Sequence, residues 1–287
     1  MDLPSLCQLL RCPFTGAALA PAADELRTAA GRGYPLVQGV PVFTPAARGV
    51  LVQPAAHLSN PLSPVASAVA ARARGLVLNL SAGGSEAKPE NVVELEYSIF
   101  RNTDVVGDAH QLPFADGVFA ACICMNAFEH YRDPGRVAAE ILRVLEPGGQ
   151  LLMHTAALQP IHESPHHYYN ATCFGVREWL SGFTAVDVTV SPNFNPAFAV
   201  SWILSELEAG VRRHQGEGRA RLLQTATVRD LLEFWRTPAS RAGPLWQLLQ
   251  DLDPETQRTC AAGWQATATK PLAPAAPAGG TSADNRG

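Results

Sequence analysis

Residues 76–86, LVLNLSAGGSE, decide how the rest of the chain is read. Leu76, Val77, Leu78 and Leu80 form an apolar run too short for a helix and suited to a buried parallel strand. Ser81-Ala82-Gly83-Gly84-Ser85 then removes almost all side-chain bulk, so that a ligand can press against backbone there. Open α/β sheets bind nucleotide-like ligands outside the carboxyl ends of their strands. A tight turn between two core elements has the same residues, so the turn alone leaves both readings open.

Downstream, apolar runs alternate with helical spacing. Asn91–Glu96 (NVVELE) reads as the second strand, and only residues 81–91 separate it from the first, too few for a full crossover helix. Pro89 shortens whatever helix forms. Asp104–Val106 is a third strand ending in Gly107-Asp108-Ala109-His110, and Val118–Met125 (VFAACICM) is a central one. Asp133-Pro134 supplies a cap and a first-turn proline for a helix carrying Val137, Ala138, Ile141, Val144 and Leu145 on one face. Pro147-Gly148-Gly149 stops it, and Leu151–His154 is the next strand. Strand and helix in alternation with short links predict a mainly parallel, Rossmann-like twisted sheet flanked by helices.

The flanks read differently. Residues 1–45 form a small module dense in turn residues. The connector from 46 carries a stop at Asn60-Pro-Leu-Ser-Pro64 and an alanine-rich helix, Val65–Arg74, so the α/β core spans 46–194. Gln159–Thr172 (QPIHESPHHYYNAT) is a polar, aromatic loop, Val176–Leu180 is helical, and Phe183–Val190 alternates as a strand. Residues 195–270 read as a helical cover (around 200–213, 219–235 and 244–252) with a last strand at 260–270. The Pro/Ala/Gly-rich 271–287 reads as a disordered tail.

Composition bounds function. The 287 residues are 47% hydrophobic and 17% charged with a net charge of −4, and no basic run occurs. A substantial core is expected, and a dedicated nucleic-acid surface is not. No stretch is apolar enough to span a bilayer, and the N-terminus does not read as a secretory signal, so a cytoplasmic location is the expectation. Six scattered cysteines read as reduced thiols rather than a disulfide framework.

Several motifs occur in a recognisable order: VLNLSAGGSE, VVELE, VVGDAHQLPFADGVFAACIC, NAFEHYRDPGRVAAEILRVLEPGGQLLM and HESPHHYYNATCFGVREWLSGF. Residues 76–185 thereby resemble the class I S-adenosylmethionine-dependent methyltransferases, type 11 group. The resemblance implies S-adenosyl-L-methionine as cofactor, with Asn79, Ser81, Gly83 and Gly84 at its methionine end. It places Glu96 on the ribose hydroxyls, Asp108 and Ala109 at the adenine, and Met125 and Asn126 at the adjoining strand end. The family usually has an acidic residue at the Asn79 position and glycines at those of Ser81 and Ser85. LRCPFTGAAL with GRGYPLVQGVPVF resembles a zinc-ribbon-like module of the Trm112 kind. Thr15 stands in place of its second cysteine, and no further pair follows, so no metal is expected there.

The resemblance further implies methyl transfer to a small-molecule or glycan-like acceptor, at oxygen or nitrogen. An acidic acceptor needs a base. His162, His166 and His167 in the polar loop are candidates, with Tyr168 or Tyr169 to position substrate, and His130 beside Glu129 is another. The same histidines equally suit a hydrogen-bonded loop. His162, Glu163, His166 and His167 fit no metal-ligand spacing, so no metal site is expected. The alternative function is that of an inactive methyltransferase-fold protein acting as a binding partner.

Overall fold

The computed structural model describes residues 1–45, 49–59 and 61–268. The N-terminal module is a short helix, α1 (Leu3–Leu9), followed by a four-stranded antiparallel sheet of β1 (Leu19–Ala22), β2 (Glu25–Thr28), β3 (Gly33–Val37) and β4 (Val40–Pro41) in sequential order. Its cysteine turn is used for packing: Cys12 is buried with its Sγ 3.0 Å from the Tyr34 hydroxyl. After the connector, α2 (Pro64–Arg72) starts on a Ser63 cap whose side chain accepts the Ala66 amide. Proline at the first helical position loses no hydrogen bond there.

Five parallel strands make the second sheet: β5 (Val77–Leu80), β6 (Val92–Glu96), β7 (Val105–Val106), β8 (Phe119–Cys124) and β9 (Leu145–Met153), in the order β7-β6-β5-β8-β9. Chain order runs outward one way from β5 and then the other way from β8, so the switch point lies between the ends of β5 and β8. The link from β5 to β6 contains no helix, as its length requires. Between β8 and β9, α3 (Pro134–Val144) begins at Asp133, whose side chain accepts the Arg136 amide. Its buried stripe of Val137, Ala138, Ile141 and Val144 joins Leu78 and Leu80 in the main core. On the opposite face, Ala66 and Ala70 of α2 pack on Val77, Val92 and Ile123.

Two boundaries read from sequence move. The helix ends at Val144, before Pro147-Gly148-Gly149, because Leu145 already pairs with Phe119 and the strand register shifts just beyond it. Gly148, at φ 83°, falls inside this irregular first half of β9. Residues 183–190 are not a strand: after α4 (Cys173–Trp179) they run irregularly and pair with no strand of the sheet.

The helical cover comprises α5 (Pro196–Gln215), α6 (Glu217–Thr225), α7 (Val228–Arg236), α8 (Pro244–Gln250) and α9 (Pro254–Thr259). The single helix expected over 219–235 is two, divided where Thr227 and Asp230 form a capping box. The last strand expected at 260–270 is absent from residues 260–268, and residues 269–287, including the expected tail, lie outside the described residues. The cover has a small core of its own, Val211, Ala220, Leu223 and Leu248. Among the described residues no helix is long and apolar enough to cross a membrane.

Candidate active site

The strand ends present their polar groups at one edge of the sheet. Ser81, directly after β5, adopts φ 54°, and Asn126, just beyond β8, adopts the same value. Left-handed backbone at a non-glycine residue is uncommon, and here it falls on both sides of the switch point. Tyr131 spans the two sides: its hydroxyl lies 2.8 Å from Ser81 Oγ and 3.5 Å from Cys124 Sγ. Burial pushes its phenol well above its ordinary pKa, so it stays a neutral hydroxyl.

Glu96 closes β6. Its Oε1 accepts the Gly83 amide at 2.6 Å and its Oε2 the Tyr97 amide at 2.8 Å. Burial raises its pKa, and those two amides oppose the rise. A carboxylate has about four lone-pair positions, so two remain for ligand hydroxyls. Asp108, after β7, keeps a partly exposed side chain and takes the His110 amide at 2.9 Å and the His110 ring at 2.7 Å on Oδ1. Burial alone would raise Asp108; these bonds bring it below the ordinary value. Ala109 is buried in the core beside it. Met125 is half-buried against the α2 side, and Asn126 is exposed with its amide held by the His154 carbonyl at 3.0 Å.

Two of the residues expected to touch cofactor are turned to other work. Asn79 is only 3% exposed and sits opposite Glu94 in the β5–β6 register, beneath the sheet edge rather than on it. Gly84 does permit a close backbone approach, but by this chain's own connector. A Cβ there would overlap the His57 carbonyl oxygen, and the Gly84 amide donates to Ser59 Oγ at 2.9 Å. Ser85 likewise faces inward and donates to Glu94 Oε1 at 2.8 Å. Ser81, Gly83, Glu96, Asp108 and Asn126 are thus brought to the edge, whereas Asn79 and Gly84 are not.

The histidines assemble beyond β8 and β9. His130 follows Glu129 in a 3-10 turn at Phe128–His130, and its ring centroid lies 5.0 Å from that of His162 and 5.7 Å from that of His167. The loop is pinned to this turn by the Tyr168 and Tyr169 amides, which both donate to the Glu129 carbonyl. His167 has both ring nitrogens engaged: Nδ1 accepts the His162 amide and Nε2 meets the Tyr169 carbonyl. His166 is exposed, its Nδ1 3.3 Å from the Tyr168 hydroxyl. His130 and His162 each direct Nδ1 at a backbone carbonyl, of His166 and Pro160, at 3.0 Å. Carbonyl oxygens only accept, so both Nδ1 atoms carry the proton and both Nε2 lone pairs are left over. From the cover, the Trp202 ring lies 5.3 Å from that of His162. Tyr131 and Ser59 were not singled out by sequence reasoning for this region; only a hydroxyl-bearing aromatic in the segment after β8 hinted at Tyr131.

A cavity of about 550 Å³ lies away from this edge, in the seam between the N-terminal module and α3. Arg143 there binds Glu140, Asp116 and two carbonyls, Arg11 the Gln8 and Leu10 carbonyls, and Arg136 the His110 carbonyl through Nε. It is a packing seam, and the strand-end edge carries the unspent polar groups.

Residues 66–153 match a family described as a methyltransferase domain. Over 79 residues the chain is 39% identical to an uncharacterized methyltransferase of Mycobacterium sp. (strain KMS), covering 26% of this chain and 27% of that protein. It is 34% identical over 105 residues to a demethylmenaquinone methyltransferase of Renibacterium salmoninarum, covering 31% and 44%. The chain thus spans about a quarter of the length of the mycobacterial relatives it matches. Among solved structures, a Haemonchus contortus phosphoethanolamine N-methyltransferase 2 in complex with S-adenosyl-L-methionine aligns over 61% of this chain and 48% of its own, at 17% identity and TM-score 0.34. With the sheet order and family match together, residues 66–153 are a class I, Rossmann-like methyltransferase domain. The match begins after the N-terminal module and does not include it.

Proposed function

We propose that the chain binds S-adenosyl-L-methionine along the carboxyl edge of β5, β6 and β7 and transfers its methyl group to a small-molecule or glycan-like acceptor, at oxygen or nitrogen. The observation that carries this reading is the half-spent carboxylate of Glu96, tied to the Gly83 amide at the switch-point edge. The residues present fit the cofactor's chemistry. Glu96 offers two acceptor positions to a ribose, Asp108 a carboxylate to an exocyclic amine, and Ser81-Ala82-Gly83 a turn of small side chains. When bound, the cofactor supplies a methyl group on a positively charged sulfur. The protein's part is to orient an acceptor in line with it at about 3–3.5 Å.

Of the four candidate histidines, His130 and His162 have Nδ1 held as the donor by a backbone carbonyl, which leaves Nε2 as the lone pair that a hydroxyl acceptor requires of a base. His167 contributes by holding the His162 amide. Tyr131 holds the Ser81 hydroxyl and so shapes the turn from the β8 side.

The test is calorimetric titration of the full chain with S-adenosylmethionine and S-adenosylhomocysteine. Glu96→Ala and Asp108→Ala should each weaken binding by about ten- to a hundredfold, the cost of a hydrogen bond to a charged group. No heat and no thermal shift with either ligand in the unaltered chain would leave the fold as a binding scaffold and overturn the enzyme reading.

A further inference from the structure

Glu129 is 1% exposed, and while its Oε2 accepts the Thr155 hydroxyl at 3.0 Å, its Oε1 has no hydrogen-bond partner. A buried acceptor left unpaired is costly, which calls for a ligand there. One carboxylate oxygen of Glu129 and one ring nitrogen each of His130 and His162 lie within 4.8 Å of one another. In both rings Nδ1–H is spent on a carbonyl, so Nε2 is the nitrogen left free to bind an ion. That arrangement is the outer-shell pattern of metal-binding histidines, in which the second ring nitrogen donates to a carbonyl and fixes the tautomer. Thr155 fixes the carboxylate in the same manner.

We propose that Glu129, His130 and His162 bind a divalent first-row transition metal, zinc or iron(II), at the ends of β8 and β9. Two imidazoles and one carboxylate suit such ions, and three protein ligands form an open site with room for water or an oxygen ligand. His166 contributes only its backbone carbonyl, and His167 is excluded as a ligand because both its nitrogens are engaged. With the ion bound, His130 and His162 are ligands, so the base assigned above operates only in the metal-free chain. The site itself stands independently of cofactor binding.

The full chain, stripped with a chelator, is to be titrated with Zn²⁺ and Fe²⁺ by calorimetry and with Co²⁺ by visible absorption. One equivalent of metal should bind, and His162→Ala should weaken binding at least about a hundredfold, more than the loss of an outer-shell partner costs. His166→Ala should leave the affinity unchanged. Glu129→Gln should also weaken binding; because that residue is buried, His162→Ala on the partly exposed loop decides the matter if the Gln variant misfolds. Absence of binding, or equal affinity in the His162→Ala and unaltered chains, would overturn the site. S-adenosylmethionine binding measured on the same samples separates that outcome from failure of the methyl-transfer reading.

Discussion

Glu94 and Glu96 stand two residues apart on β6 and meet different surroundings. Glu96 is at the strand end, whereas Glu94 is fully buried, with Ser85 donating to it and Asp104 accepting its amide. Burial raises the Glu94 pKa above 4.5, only partly offset by the Ser85 hydroxyl and Lys88. The folded chain therefore holds this proton more tightly than the unfolded one. The resulting stability is full below the unfolded pKa and is lost as pH rises through the folded value. Glu94→Gln removes the titration and keeps an acceptor for Ser85. Urea unfolding from about pH 4 to about pH 7 should show the unaltered chain losing stability relative to the variant as pH rises; parallel curves would contradict the burial argument. At this scale the sequence was a partial guide. The strand-end positions of Glu96 and Asp108 were legible because strand ends can be counted, while their cofactor roles came only from the family resemblance; which way Asn79 and Gly84 face depends on Glu94 and the His57–Ser59 connector, partners distant in sequence. The metal ligands were hidden for the same reason. Glu129 and His130 precede α3 while His162 follows β9, so no local spacing unites them.

The helical elements show how little side-chain volume holds the cover to its last helix. Gly210 on α5 faces Thr256 on α9, and a Cβ at that position would overlap Thr256 Oγ1, Cγ2 and Cβ. Thr256 cannot swing aside freely, being 2% exposed and bonded to Asp253 at 2.6 Å. Gly210→Ala should therefore destabilise by about 1–3 kcal/mol, the usual cost of overpacking. Hydrogen exchange at Pro254–Thr259 should quicken; unchanged protection would mean that α9 tolerates displacement. The strands and α3 were legible because periodicity and caps agree there, as at Asp133-Pro134. The segment 183–190 alternates yet makes no ladder with the sheet, its Phe183, Val186 and Val188 packing on the core by side chain alone, and 219–235 breaks where the Thr227 capping box outweighs continued helical spacing.

Across the whole molecule, the sequence boundary at residue 45 is not a boundary in packing. Leu6, Leu10, Leu26, Tyr34 and Phe43 form one continuous cluster with Leu78, Leu80 and Phe114. Leu26→Ala should cost about 2–5 kcal/mol by opening a cavity. All five tryptophans lie at residue 179 or beyond, so their fluorescence reports on the rest of the chain. A lowered melting temperature seen by fluorescence would show the module and the α/β core unfolding together; an unchanged fluorescence transition would show them separate. The join also runs through the backbone, since Val42 bridges Val106 in parallel and the Phe43 amide donates to the Val106 carbonyl at 2.8 Å. β7 is the outermost strand of the parallel sheet and only two residues long. The module is therefore a guard as well as a packing partner. Without it, the open rim at Val105–Val106 would offer unpaired amides and carbonyls to a strand from another molecule, which makes residues 1–45 a defence against self-association.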